Sequence, residues 1–151
     1  MTDFLSLWAD SLPQLLLATV KVTIPLSIIA FVLALVVAVL ATTMRLSGIR
    51  PLQWISRFYV WLFRGTPILV QLFIIFYGLP AAGITLSAWT SAILAFTLNT
   101  GAYAAETLRA SVQSIPRGQL EAARTLNYTG WQTVRHVVAP QALRIALPPL
   151  G

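Results

Sequence analysis

The sequence predicts an all-α integral membrane protein, and three observations indicate this class. The chain is 58% hydrophobic and only 9% charged, whereas a soluble domain is about a quarter charged. No charged residue lies between Lys21 and Arg45, and none lies between Arg64 and Glu106. All the arginines fall in two zones, 45–64 and 109–144. Long uncharged runs between basic zones are typical of membrane-spanning helices.

The first uncharged run predicts one membrane span at about 22–43, because a bilayer core needs about 20 apolar residues per helix. The helix itself is expected to begin near residue 12, where Ser11 supplies a capping hydroxyl and Pro13 suits the first turn. Lys21 is then expected to extend its ammonium group to the outer headgroups.

The second uncharged run is too long for one span, so we expect the chain to reverse between Gly78 and Gly83. Pro67 is expected to loosen or kink the first half of this run. These features predict spans at about 58–77 and 86–106, preceded by a loop over 45–57.

The arginine zones predict the orientation of the chain in a cell (inner) membrane. Cytoplasmic loops are enriched in arginine and lysine, so both zones are expected on the cytoplasmic side. Three spans then place the N-terminus outside. The first residues do not match a cleavable signal, because Asp3 and Asp10 precede the first basic residue, Lys21.

Several classes of chemistry lack the residues that they need. There is no cysteine, and the only histidine, His136, has no second metal ligand nearby. No G-x-x-x-x-G-K loop is present and the only lysine is Lys21, so we expect no nucleotide site and no enzyme activity in this chain. The net charge of +6 is explained by membrane orientation, so we expect no nucleic acid partner.

Three polar residues of the third predicted span share one helix face. Asn99, Tyr103 and Glu106 are spaced i, i+4 and i+7, and polar groups at membrane depth usually face a bundle interior or water. They are candidates for a translocation path, or they hold helices together, with Glu106 paired to Arg109. Arg64 is either an anchor at the inner interface or a ligand for a substrate carboxylate.

The cytoplasmic segment at about 113–148 predicts two short helices. Pro116 opens the first, and Asn127 suits a left-handed C-terminal cap. The second is expected over about 131–138, stopping at Pro140. From the pattern alone, this segment is either a compact docking surface for a partner or an amphipathic segment lying on the membrane.

Several motifs occur together in one order. They are Arg64-Gly65-Thr66-Pro67, then Leu98-Asn99 with Ala102-Tyr103, Glu106 and Arg109, then Gly118-Gln119-Leu120-Glu121-Ala122-Ala123, Pro140-Gln141-Ala142-Leu143-Arg144 and Leu147-Pro148-Pro149. The later motifs resemble the "EAA" loop of binding-protein-dependent ABC permeases. The earlier ones are similar to the polar amino acid uptake branch of that family, and the resemblance covers residues 15–150.

The resemblance implies a membrane-spanning permease subunit of an ATP-driven importer that translocates a polar amino acid. Its implied partners are two cytoplasmic ATP-binding subunits, which bind ATP and Mg, a second identical or related permease subunit, an extracytoplasmic solute-binding protein and membrane lipid. No cofactor is implied for this chain itself. The coupling role falls on Glu121, Ala122 and Ala123, with Gly118 and Asn127 shaping the ends of the helix.

Two features depart from the family pattern. Asn127 stands where glycine is usual, and Ala139 stands where leucine is usual before the proline. Members of this branch typically have five spans, so the resemblance implies three spans present of an expected five and a C-terminally truncated permease. The alternatives are a membrane anchor or assembly fragment without transport, an ATP-independent small channel and, more remotely, a membrane-bound enzyme.

Overall fold

The computed structural model describes residues 2–150, except the side chains of residues 2–7, 9 and 10. Every described regular element is helical, which confirms the all-α class. The α-helices are α1 (Thr2–Ala18), α2 (Ile24–Leu46), α3 (Arg50–Gly65), α4 (Ile68–Phe73), α5 (Leu79–Ala81), α6 (Ala88–Gln113), α7 (Arg117–Thr125), α8 (Gly130–Thr133) and α9 (Ala139–Leu150). Three π-helical turns join some of them: π1 (Thr19–Thr23), π2 (Ile74–Gly78) and π3 (Val134–Val138).

The first helical rod runs without a break through α1, π1 and α2. It begins earlier than the sequence predicts, because Pro13 lies within α1 instead of marking its first turn. By length and composition, Ser11–Leu46 could cross a membrane, and the bent pair Arg50–Gly65 and Ile68–Ala81 could together form a second span. α6 covers the third predicted span but is less apolar than these stretches and does not meet the same criterion.

The predicted loop over 45–57 is mostly helical. Only residues 47–49 lie outside α2 and α3, and Gly48 makes the turn with a φ of 75°. Pro51 lies in the first turn of α3, where the amide hydrogen that proline lacks has no intrahelical partner. The proline therefore starts a helix here instead of extending the loop.

The helix predicted over 58–77 is broken. α3 and the α4–α5 segment are bent by 105° relative to each other. Thr66, immediately before Pro67, is extended, with φ −122° and ψ 141°. The proline ring disfavours helical geometry at the preceding residue, so its effect is a sharp break instead of a kink.

The centre of the bundle is α6, which packs against α2, α3, α4 and α9. The buried face of α2 consists mostly of alanines, and α6 opposes it with further small residues. The alanines are Ala30, Ala34, Ala38 and Ala41 on α2 and Ala95, Ala102, Ala104 and Ala105 on α6. In a membrane the lipid tails are as apolar as leucine, so burying large apolar side chains does not drive helices together. Small residues promote association instead, because they let helix backbones approach closely. Large apolar side chains such as Trp54 and Trp61 point outward instead.

Gly101 lies where α2, α3 and α6 meet. A Cβ atom at this position would lie 2.9 Å from the Tyr59 hydroxyl and 3.1 Å from Val37 Cγ1. The same hydroxyl donates a 2.6 Å hydrogen bond to the Leu98 carbonyl. Tyr59 can therefore reach the α6 backbone only because residue 101 has no side chain.

Two hydroxyls reinforce this junction. Ser56 Oγ donates to the Ala41 carbonyl at 2.7 Å, and Thr42 Oγ1 donates to the Ala105 carbonyl at 3.0 Å. Both side chains are buried. A buried hydroxyl is costly without a partner, so these bonds fix α3 against α2 and α2 against α6.

The helix predicted to stop at Pro140 continues through this proline to Leu150. The reason is the π-helical turn before it, where the Ala139 amide donates to the carbonyl of Val134, five residues back. Proline lacks an amide hydrogen and its ring clashes with the carbonyl four residues earlier in a regular helix. The wider π turn accommodates both effects.

The other two described π turns precede prolines in the same way. In π1 the Ile24 amide donates to Thr19, just before Pro25. In π2 the Leu79 amide donates to Ile74, just before Pro80. This chain therefore absorbs three of its helix-interior prolines by adding one residue to the preceding turn.

Candidate functional site

The predicted coupling segment forms a small helical unit, which we call the docking knob and define as residues 116–133. It begins at Pro116, whose carbonyl accepts from the Gln119 amide at 3.1 Å. α7 follows, then the connecting residues 126–129 and then α8. α7 contacts both α8 and π3, so the knob is folded onto the base of the last helical rod.

A left-handed cap ends α7 at Asn127, which has a φ of 55°, as the sequence predicts. The Asn127 amide donates to the Arg124 carbonyl at 2.9 Å, and the Tyr128 amide donates to the Ala123 carbonyl at 3.0 Å. These two bonds form a Schellman motif. Asparagine tolerates this backbone region better than most residues, so it preserves the turn that glycine usually makes.

α8 begins with a capping box. The Gln132 amide donates to Thr129 Oγ1 at 3.3 Å, and the Thr129 amide donates to Gln132 Oε1 at 2.8 Å. Each residue therefore satisfies an amide of the other. The Schellman motif and the capping box together define the path of the connection between the two helices.

Two substitutions of Asn127 distinguish whether the cap depends on the left-handed backbone conformation or on the asparagine side chain. Asn127→Ala should weaken the cap by about 1 kcal/mol, because an ordinary residue pays roughly this cost in the left-handed region. We expect faster hydrogen exchange at the Asn127 and Tyr128 amide positions. Asn127→Gly should retain the protection, and equal loss in both variants would show that the side chain, not the backbone, forms the cap.

Apart from the cap residue Asn127, the residues assigned to coupling divide into one buried and three exposed. Ala123 is only 2% exposed, whereas Gly118, Glu121 and Ala122 lie on the surface. Within the side chains that the structure describes, the Glu121 carboxylate has no hydrogen-bond or ion-pair partner. Ala123 therefore holds α7 in place, while the other three residues are available to a partner.

Two large apolar side chains extend the exposed surface of the knob. Leu126 is 68% exposed and Trp131 is 71% exposed. An apolar surface beside an unpaired carboxylate resembles a protein interface, where an apolar centre is bordered by polar residues. Neither residue was predicted from the sequence, although a leucine and a tryptophan that flank a polar turn are a usable signal.

A groove of about 320 Å³ lies between α7 and the rod formed by π3 and α9. Gln141 crosses it, because its Nε2 donates to the Val137 carbonyl at 2.8 Å and also to Gln119 Oε1. α9 in turn packs on α6, with Ala142 and Ala146 buried. A continuous set of contacts thus joins the knob to the central helix.

Asn99, Tyr103 and Glu106, which form the predicted polar stripe on one face of α6, have different bonding partners. Asn99 Nδ2 donates to the Phe63 carbonyl and to Gln71 Oε1, both at 3.2 Å. Gln71 Nε2 donates to the Phe63 carbonyl at 2.9 Å and to the Thr66 carbonyl at 3.0 Å. Asn99 and Gln71 therefore bind the carbonyl groups that the break between α3 and α4 exposes, and we call this pair the break clasp.

Tyr103 and Glu106 contact arginines. The guanidinium carbon of Arg64 lies 5.1 Å from the centre of the Tyr103 ring, and Tyr103 is 49% exposed. Arg109 Nε donates to Glu106 Oε1 at 3.0 Å, in the i, i+3 pairing that the sequence offers as one alternative. Tyr103 is the most exposed of the three stripe residues.

The roles of Gln71 and Tyr59 were not predicted from the sequence. Gln71 is the only strongly polar side chain between Pro67 and Gly78, which was a usable signal, because an amide at membrane depth needs a partner. The contact of Tyr59 with the α6 backbone had no such signal.

Among the described residues, no group of three histidine, aspartate or glutamate side chains could hold a metal ion.

Curated proteins similar to this chain are permease proteins of transport systems. The L-cystine transport system permease protein of Bacillus subtilis is 49% identical over 85% of this chain and 55% of its own length. The probable glutamine ABC transporter permease protein of the same organism is 38% identical over 99% of this chain and 65% of its own length. The nopaline transport system permease protein of Agrobacterium fabrum is 40% identical over 94% and 63%.

A solved structure is also similar. It is described as the crystal structure of an amino acid ABC transporter with histidines. The superposition gives a TM-score of 0.89 at 35% sequence identity, and it covers 99% of this chain and 69% of that one. This chain spans just over half to two thirds of the length of the three curated relatives.

Residues 34–151 match the family described as "Binding-protein-dependent transport system inner membrane component". The match includes the knob, the broken helix and the central helix α6. The chain therefore belongs to the family of binding-protein-dependent transport system inner membrane components.

Proposed function

We propose that this chain is a permease subunit of an ATP-driven importer that translocates a polar amino acid across the cytoplasmic membrane. The names of the similar proteins support the substrate class, since they specify cystine, glutamine and nopaline. The observation that carries the proposal is the continuous set of contacts from the exposed knob through Gln141 and α9 to α6.

The partners follow from this role. Two cytoplasmic subunits bind ATP and Mg and dock on the knob, with Glu121, Ala122, Leu126 and Trp131 at the contact. A second permease subunit, identical or related, completes the substrate path, and an extracytoplasmic solute-binding protein delivers the amino acid. Closure of the ATP-binding subunits displaces α7, and the contacts of Gln141 and α9 transmit this displacement to α6.

The substrate path runs along the α6 face that carries Asn99, Tyr103 and Glu106. Tyr103 with Arg64 forms its most accessible part, because Tyr103 is half exposed and a cation lies over its ring. Asn99 contributes by holding the broken helix in position. Glu106 supplies negative charge near the inner end, where Arg109 balances it.

Glu121→Lys should abolish ATP-dependent uptake, because it reverses the charge of the only acidic side chain in the knob. An unfavourable charge at an interface costs several kcal/mol, and each 1.4 kcal/mol corresponds to about tenfold in affinity. The measurement is co-purification of the ATP-binding subunit, with uptake in vesicles as the second readout.

The matched control for this charge reversal is Ser114→Lys. It adds a positive charge at an exposed position that follows α6. This position lies outside the knob but on the same proposed side of the membrane. We expect it to retain co-purification and uptake. If Glu121→Lys retains both as well, the knob is not the docking site and the coupling proposal fails.

The proposed orientation places the N-terminus outside and the knob in the cytoplasm. Single cysteines at Ala82 and Arg117, both exposed, test it without background, because the chain has no cysteine. A membrane-impermeant maleimide should label Ala82→Cys in right-side-out vesicles and Arg117→Cys only in inverted ones. Labelling of both positions from one side would contradict this topology.

A further inference from the structure

Pro140 lies between the docking knob and the helix that connects it to the bundle. On its N-terminal side are π3 and the knob, which ends with α8. On its C-terminal side α9 packs on α6 through Ala142 and Ala146. The side chain of Pro140 is exposed. The proline therefore contributes little to the core, and its main effect is on the backbone before it.

That effect is a shift of helical register. In a regular helix the amide of residue 140 would donate to the His136 carbonyl, and proline has no such amide. The chain responds with the Ala139 to Val134 bond, which spans five residues and places one extra residue in the turn. One residue of an α-helix corresponds to about 100° of rotation and 1.5 Å of rise.

From this geometry we propose that Pro140 is a positioning residue that sets the rotation of the knob relative to α9. With the π turn, Gln119 on α7 faces Gln141 on α9 and the two amides bond. Without it, α8 and the α7 packed on it would rotate by about 100° about the axis of α9. Gln119 would leave Gln141, and Glu121 would point in a different direction. The functional consequence rests on the proposed docking role, whereas the register itself does not.

A pair of introduced cysteines reports the register directly. The chain has no native cysteine, so Gln119→Cys with Gln141→Cys can be cross-linked in isolated membranes by a short bismaleimide. We expect the cross-link to form in this background and to be lost when Pro140→Ala is added, because alanine restores the amide and permits a regular helix.

Two further variants control the experiment. Pro80→Ala removes an exposed proline that follows the π turn at Ile74–Gly78, and it should leave the 119–141 cross-link unchanged. Deletion of Val134, an exposed residue of π3, removes the extra residue. Combined with Pro140→Ala, this deletion should restore the register and with it the cross-link.

The outcomes separate the register from the function. An unchanged cross-link in Pro140→Ala overturns the proposal. So does the absence of a cross-link when Pro140→Ala is combined with deletion of Val134 and the protein inserts in the membrane. This combined variant also decides the matter if Pro140→Ala alone fails to insert. Loss and restoration as described support it, even if Glu121→Lys shows that the knob docks no ATP-binding subunit. If the knob does dock, Pro140→Ala should also lower the uptake per ATP hydrolysed, and the deletion should restore this ratio.

Discussion

Gly101→Val should prevent the chain from accumulating as a folded membrane protein. Even a Cβ atom at this position would lie 2.9 Å from the Tyr59 hydroxyl, and valine adds two methyl groups where three helices meet. Overpacking of this kind costs about 1–3 kcal/mol, and loss of the Tyr59 to Leu98 hydrogen bond adds about 1 kcal/mol. A total of about 3 kcal/mol is a large part of the stability of a small domain.

The measurement is the yield of monodisperse protein after extraction in a mild detergent, followed by the midpoint of its thermal aggregation. Gly118→Val is the matched control, because a Cβ at Gly118 meets no atom within 4 Å. We expect Gly101→Ala to be intermediate, since a shift of the Tyr59 ring can relieve one methyl group. Equal yields for both valine variants would contradict the close approach of α3 and α6.

Gln71→Leu should destabilise the broken helix by about 2–4 kcal/mol, because it leaves the carbonyls of Phe63 and Thr66 with fewer donors. Gln71 is buried, and no water is expected at this depth to replace its amide. Asn99 Nδ2 would lose the bond to Gln71 Oε1 as well. The leucine side chain is of similar size, so the effect reports the lost hydrogen bonds and not a cavity.

The readout for this variant combines thermal stability in detergent with uptake in vesicles. Gln14→Leu is the control, since Gln14 is exposed on α1. We expect Gln71→Leu to lower uptake further than its stability alone explains, because the break holds Arg64 over Tyr103. An unchanged melting midpoint would show that the break persists without the clasp.

Much of the local structure could be predicted because it depends on neighbouring residues. Uncharged runs indicated the helical segments, Pro116 the start of α7, and Asn127 its left-handed end. The pairing of Glu106 with Arg109 was one of the two alternatives that the spacing offered. The family followed from the ordered motifs between residues 64 and 149, and the match over residues 34–151 confirms it.

The main errors in the predicted helices concern prolines. Pro51 was expected in a loop, Pro67 at a kink and Pro140 at a helix end, but they lie in the first turn of α3, at a full break and inside a continuous rod. A proline removes the same amide in each case. Whether the chain starts, breaks or widens a turn depends on which surrounding groups satisfy the carbonyls, and sequence spacing does not contain that information.

The sequence by itself determined the helical class, the family, the start and the left-handed end of α7, and the polar residues of α6. Only the tertiary structure decided what those residues contact: that Asn99 meets Gln71 across a broken helix, that Tyr59 fits over Gly101, and that Gln119 faces Gln141. The physical reason is that helix formation follows from local hydrogen bonds and apolar content. Contacts between helices depend instead on the approach of backbones and on helical rotation, which a single added residue in a turn can change by about 100°.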